Sequence, residues 1–154
     1  MIFNIDEIIK MAIGLEKTGC AFYLEAAEKT ESSELAILYR DLADMEQQHE
    51  AQFRLLQTTL QKTGFFSGNI DPDNEAALYL NSIVNAHVVF QKNVIEKTAT
   101  AMLKQAIVTE KDSIVFYLGI KPMIPVDLGK SYIDQILREE MMHVRILSEA
   151  LLKL

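Results

Sequence analysis

Tryptophan is absent from this 154-residue chain, and cysteine (1), proline (3) and glycine (6) are scarce. Glycine and proline are the strongest helix breakers, so their rarity leaves long stretches open to helix. The single cysteine, Cys20, excludes a disulfide framework and fits a reducing cytoplasm. Without a CxxC pair the chain has no rubredoxin-like iron or zinc site of its own. No apolar run approaches the length of a membrane span, and Asp6 and Glu7 interrupt the first apolar residues. Neither a membrane segment nor a secretory leader is therefore expected. Positive charge is in the minority, 15 Lys and Arg against 22 Asp and Glu. The net charge of -7 argues against nucleic acid or an anionic membrane as partner.

What the chain does have is apolar and helix-forming. Its hydrophobic fraction of 49% is too high for disorder, and its length suits one domain spanning 1–154. Four long helices and one long crossover are predicted. The first covers Ile5 to Lys29, capped by Asn4 or Asp6, with an apolar stripe of Ile5, Ile9, Ala12, Tyr23 and Ala27. The second starts at Ser32 or Ser33 and runs to about Lys62, burying Leu35, Tyr39, Leu42, Phe53, Leu56 and Leu60. Residues 64 to about 99 form the crossover, with a helix inside it from about Asn74 to Phe90. The third long helix runs from near Thr98 or Thr100 to just before Pro122, and the fourth from an Asp127 cap nearly to Leu154.

The chain also matches itself. Glu16 precedes Phe22-Tyr23-Leu24 and then Glu46-Gln47-Gln48-His49. Glu110 precedes Phe116-Tyr117-Leu118 and then Glu140-Met141-Met142-His143 with the same internal spacing. One shift of 94 residues relates every pair: 16 to 110, 46 to 140, 49 to 143. Each copy thus offers one Glu and one Glu-x-x-His pair.

All six residues fall on the apolar stripes. Glu16 lies four after Ala12, Glu46 four after Leu42, Glu110 four after Ala106 and Glu140 four after Ile136. Positions three apart share a helix face, so Glu46 with His49, and Glu140 with His143, converge on one point. Residue 31, in the first turn, lies midway between 16 and 46, and residue 125, in the second, midway between 110 and 140. Each hairpin therefore sets its lone Glu level with its Glu-x-x-His partner. Unpaired buried carboxylates are costly, and several together cannot all stay ionised. Four Glu anions and two divalent cations, however, balance. Oxygen donors with imidazole and no thiolate suit two Fe ions, with Mn as an alternative and Zn possible in vitro.

The chain resembles the ferritin-like superfamily of di-iron carboxylate proteins, and within it the rubrerythrin-like group. The resemblance rests on Glu16, Glu46, His49, Glu110, Glu140 and His143. The flanking Leu15-Glu16-Lys17, Phe22-Tyr23-Leu24-Glu25-Ala26-Ala27 and Glu110-Lys111-Asp112-Ser113-Ile114 also carry it. It implies an all-α, ferritin-like four-helix bundle of two hairpins, bridging roles for Glu46 and Glu140, and terminal roles for Glu16 and Glu110. Relatives carry a further Glu one turn after the third-helix ligand; here that position is Ser113. They also carry a C-terminal rubredoxin domain, and this chain resembles the group lacking it. No short fifth helix follows the fourth, so a storage cage is not expected. Tyr23 and Tyr117 resemble groups that hydrogen-bond the carboxylates, and core aromatics fit the same positions. Glu50 and Glu139 are expected at the surface, Met141 and Met142 packed against neighbours, and His87 structural or solvated in the crossover.

Three functions are open. A redox enzyme would reduce hydrogen peroxide or dioxygen with electrons from a separate donor, such as a rubredoxin-like protein. An iron-binding protein would oxidise ferrous iron without peroxidase turnover. A third possibility is a bundle whose metals are purely structural. A cytoplasmic homodimer is expected, because Phe65, Phe66, Ile70, Tyr79, Leu80, Val88, Val89 and Phe90 of the crossover offer more apolar surface than one bundle needs.

Overall fold

The computed structural model describes residues 3–65, 74–86 and 94–154, which form five α-helices and no strand. These are α1 (Ile5–Lys29), α2 (Ser33–Lys62), α3 (Glu75–Asn85), α4 (Ala99–Ile120) and α5 (Lys130–Leu152). Together they build the all-α bundle of two hairpins that the helical periodicity predicts. The predicted helix in the crossover ends at Asn85, and Phe90 lies outside the described residues.

Helix starts follow local chemistry. Asn4 accepts from the Glu7 amide at 2.9 Å, and Glu7 Oε2 accepts from the Asn4 amide at 2.8 Å. This reciprocal pair satisfies two amides that the first turn leaves without partners. Ser32 caps α2 through the Leu35 amide, Asn74 caps α3, and Thr98 caps α4 through the Ala101 amide. Asp127, in contrast, does not cap the last helix. Between Ile120 and Gly129 the chain makes two 3-10 turns, Lys121–Met123 and Val126–Leu128, and α5 begins only at Lys130. Gly129 precedes it with φ 129°, a conformation that side chains with a Cβ rarely adopt. A Cβ there would also stand 2.6 Å from Leu56 Cδ1.

α1 packs along α2, and α4 along α5, to give two hairpins. The shorter α3 is fastened at one end of the bundle. Leu80 is fully buried in the main core, Tyr79 donates to the Val115 carbonyl at 2.7 Å, and Asn81 accepts from the Phe3 amide at 2.5 Å. Leu80 and the partly buried Tyr79 and Phe65 therefore serve this bundle's own core rather than a spare apolar face. Residues 66, 70 and 88–90, named for the same role, lie outside the described residues, as does His87.

The core is in two parts. One apolar cluster gathers Ile5 to Ile13 of α1, Phe53 to Leu60 of α2, Phe116 to Ile120 of α4 and Ile133 to Leu137 of α5. The other gathers Tyr23 to Ala27, Leu35 to Ala43, Met102 to Ala106 and Leu147 of the same four helices. On every helix the stretch between the two clusters carries the candidate ligands. A polar layer thus crosses the bundle with an apolar plug on each side.

Candidate metal centre

The polar layer brings all six candidate residues together. Glu16, Glu46, Glu110, Glu140, His49 and His143 are each no more than 4% exposed. Their ligand atoms fall into two groups: Glu16, Glu46, His49 and Glu140 in one, Glu46, Glu110, Glu140 and His143 in the other. Glu46 and Glu140 belong to both. The inward nitrogen is Nδ1 in each histidine. His49 Nδ1 lies 3.1 Å from Glu140, 3.5 Å from Glu16 and 3.9 Å from Glu46. His143 Nδ1 lies 3.2 Å from Glu46 and 3.3 Å from both Glu110 and Glu140. The imidazoles sit nearly parallel, ring centroids 5.7 Å apart.

Both tyrosines hold carboxylates. Tyr23 donates to Glu110 Oε1, and Tyr117 donates to Glu16 Oε1. Each tyrosine lies seven residues after one lone glutamate and bonds the other one. Burial first, then the adjacent carboxylate charges, push both phenols well above their usual range, so both hydroxyls keep the proton they donate. Tyr39 stacks on Tyr23 with centroids 6.0 Å apart.

The charges in this layer strain against one another. Burial, then the charges of Glu110 and Glu46, push Glu140 up to about 8. Burial, then Glu110 and Glu16, push Glu46 well above the carboxylate range, and burial also raises Glu16. Burial opposes ionisation of Glu110 too, but its interactions with Glu140 and His143 win and hold it at about 2. Burial disfavours the imidazolium form, yet the carboxylates outweigh it and raise His49 to about 11 and His143 to about 12.

The donor set fits a pair of cations. Four buried atoms of this layer have no hydrogen-bond partner among the described residues: Glu16 Oε2, Glu46 Oε1, Glu140 Oε2 and His143 Nδ1. Such orphaned acceptors cost free energy in a dry core unless a cation meets them. With Glu46 and Glu140 shared between the groups, both cations would lie within reach of the same two carboxylates.

The rubrerythrin family matches this chain over residues 7–151. The chain belongs to the rubrerythrin family. A crystal structure of a protein from Thermotoga maritima, described as a ferritin-like diiron-carboxylate protein, superposes with a TM-score of 0.72 at 26% identity. The match covers 98% of this chain and 96% of that one. No curated protein matches this rubrerythrin-family chain.

Two residues that touch the site are absent from the candidate set. Glu139, expected at the surface, turns inward far enough for Oε2 to lie 2.6 Å from His49 Nε2. Met45 places its sulfur 3.3 Å from His143 Nε2. The shift that relates the ligands also relates these two positions, 45 to 139, but it pairs a methionine with a glutamate and so gave no signal of their contacts. Glu50, also expected at the surface, is partly buried and pairs with Arg54. Met141 is 52% exposed rather than packed, because it lies a quarter turn past the inward Glu140. Ser113 is buried, and its hydroxyl donates to the Thr109 carbonyl at 3.3 Å.

Proposed function

We propose that this chain is a di-iron, or alternatively di-manganese, protein that reduces hydrogen peroxide or dioxygen with electrons from a separate donor. The observation that carries the reading is the pair of four-residue ligand groups sharing Glu46 and Glu140 inside the buried core. Two ferrous ions held in such a site would supply one electron each, the two that peroxide needs, with two protons, to become water.

The chain's own residues do the rest. Glu46 and Glu140 would hold both ions, Glu16 with His49 would complete one position, and Glu110 with His143 would complete the other. Tyr117 and Tyr23 fix the rotamers of Glu16 and Glu110 and retain their own protons. The two apolar clusters keep bulk water from the carboxylates. Cys20 is the single thiol among these 154 residues, so they do not themselves form a four-thiolate electron carrier, and a rubredoxin-like donor is the fitting class. One unpaired thiol also suits a reducing cytoplasm.

The test is anaerobic mixing of di-ferrous protein with hydrogen peroxide. Oxidation should be much faster than that of free ferrous ion, and turnover should continue only with an added donor. A rate equal to free ferrous ion, or one unchanged in Glu46→Ala and Glu140→Ala, would refute it. Ser113, in place of a carboxylate that relatives carry, favours a second reading: ferrous oxidation without sustained peroxide reduction. Single-turnover oxidation that never cycles, even with donor, would select it.

For assembly we propose a homodimer. Val108, Val115 and Leu118 lie exposed on one face of α4 and supply apolar surface for it. Light scattering that shows a monomer, or a particle of many subunits, would exclude the dimer.

A further inference from the structure

The two halves of the site are built on one plan but finished differently. His49 and His143 correspond through the repeat, and both turn Nδ1 inward. Their outer nitrogens meet unlike partners. His49 Nε2 has Glu139 Oε2 at 2.6 Å, and Glu139 is itself held by Gln135, whose Nε2 donates to Oε1 at 3.1 Å. Among the described residues His143 Nε2 has only the Met45 thioether, at 3.3 Å. Position 41, which corresponds to Gln135, is an exposed aspartate, Asp41. Among the described residues the carboxylate support is thus present on one side only.

We propose that the two metal positions are unequal, and that the one built on His49 binds its ion more tightly and fills first because Glu139 supports that imidazole while Met45 leaves the other unsupported. The inference rests on the two-metal reading above. With Nδ1 committed to a metal, the ring proton sits on Nε2. A carboxylate that accepts this proton fixes the tautomer and ring orientation and makes Nδ1 the stronger donor. A thioether is a weak acceptor and does little of either. Loss of such an outer partner costs roughly 10–100-fold in metal affinity, which sets the expected gap between the positions. The remaining ligands are matched, since each position has one histidine, one lone glutamate and the shared Glu46 and Glu140. The weaker position is the one at which an ion exchanges.

Anaerobic titration with cobalt(II), read by calorimetry and by the cobalt d–d absorption, tests this. The wild-type protein should take up two equivalents in two steps about 10–100-fold apart. Glu139→Gln should weaken the tighter step and narrow the gap. Met45→Glu should tighten the weaker step and narrow it from the other side. Met45→Leu, which keeps the volume and removes the sulfur, should move neither step appreciably. Unchanged melting of each metal-free variant separates support of the ligand from support of the fold. Two equivalents bound in one indistinguishable step, or Glu139→Gln acting on the weaker step alone, would overturn the inequality and leave the two-metal reading intact. Failure to bind two equivalents at all would overturn both.

Discussion

Tyr117 on α4 donates its hydroxyl to the Glu16 carboxylate on α1, and Tyr23 on α1 returns the same contact to Glu110 on α4. Each half of the repeat thereby orients a ligand of the other half. The exchange locks the hairpins in register at the height of the metal centre.

Tyr117→Phe should leave Glu16 Oε1 buried without its donor. We expect a loss of about 1–3 kcal/mol in the metal-free protein, seen in denaturant unfolding, with Tyr23→Phe behaving alike. The double variant should lose more than either single one. Wild-type stability in both single variants would show that the hydroxyls carry nothing.

The metal-free protein should weaken as pH rises. Glu140 stands at about 8 against an ordinary 4.5, so its contribution is complete below about 4.5 and is lost as pH climbs through about 8. Glu46 and Glu16 are raised in the same direction. His49 and His143, raised from 6.5 to about 11 and about 12, add a further loss on the alkaline side. Glu110 works in the opposite sense: held at about 2, its contribution is present above 4.5 and lost as pH falls toward 2. Thermal melts of metal-free protein should therefore fall between about pH 5 and about pH 8. Bound metal should oppose this, by about 2.7 kcal/mol when free metal is 100 times Kd. Coincident melts of free and loaded protein over that range would contradict the account.

Removing one histidine should remove one metal. His49→Ala and His143→Ala should each fall from two ions per chain toward one after anaerobic iron loading, and the double variant should hold neither firmly. Elemental analysis of desalted protein measures this. A double variant that retains two ions would show that the histidines are not ligands.

Two helical glycines should respond with opposite sign. Gly14 has nothing within 4 Å of where a Cβ would sit, so Gly14→Ala should stabilise α1 by about 0.5–1 kcal/mol. A Cβ on Gly119 would stand 2.6 Å from Leu80 Cδ2 and 2.8 Å from Tyr79 Cδ1, where α3 rests on α4. The gain of about 1 kcal/mol in helix propensity is then opposed by overpacking of about 1–3 kcal/mol. Gly119→Ala should be the less stable of the two variants by chemical denaturation. The reverse order would show that α3 yields at this contact without cost.

Much of this molecule could be read along the chain because the information is local or periodic. The bounds of α1 and α2 follow from the Asn4 and Ser32 caps and from apolar spacing. The six candidate ligands are visible because the repeat places carboxylates and imidazoles on stripes that otherwise hold mostly apolar residues. Height is legible too, since helix rise per residue is constant and a short turn sets partners level. The start of α5 was not legible: Asp127 has the chemistry of a cap, but the two preceding prolines and the left-handed Gly129 move the boundary to Lys130.

What only the tertiary structure decided depends on angles between helices rather than on order along them. Glu139 lies next to a ligand and, by helical rotation alone, belongs to the outer surface. It meets His49 because α2 crosses α5 closely enough for the outer imidazole nitrogen to reach the rim of the bundle. The same crossing puts Met45 against His143. The destination of each tyrosine was equally hidden, since spacing places Tyr23 beside Glu16 on its own helix, and only the packing of α1 on α4 sends its hydroxyl to Glu110 instead. The repeat in the sequence therefore determined which residues enter the polar layer. Interhelical geometry, which no single helix encodes, decided which of them support one another and left the two halves of the site unequal.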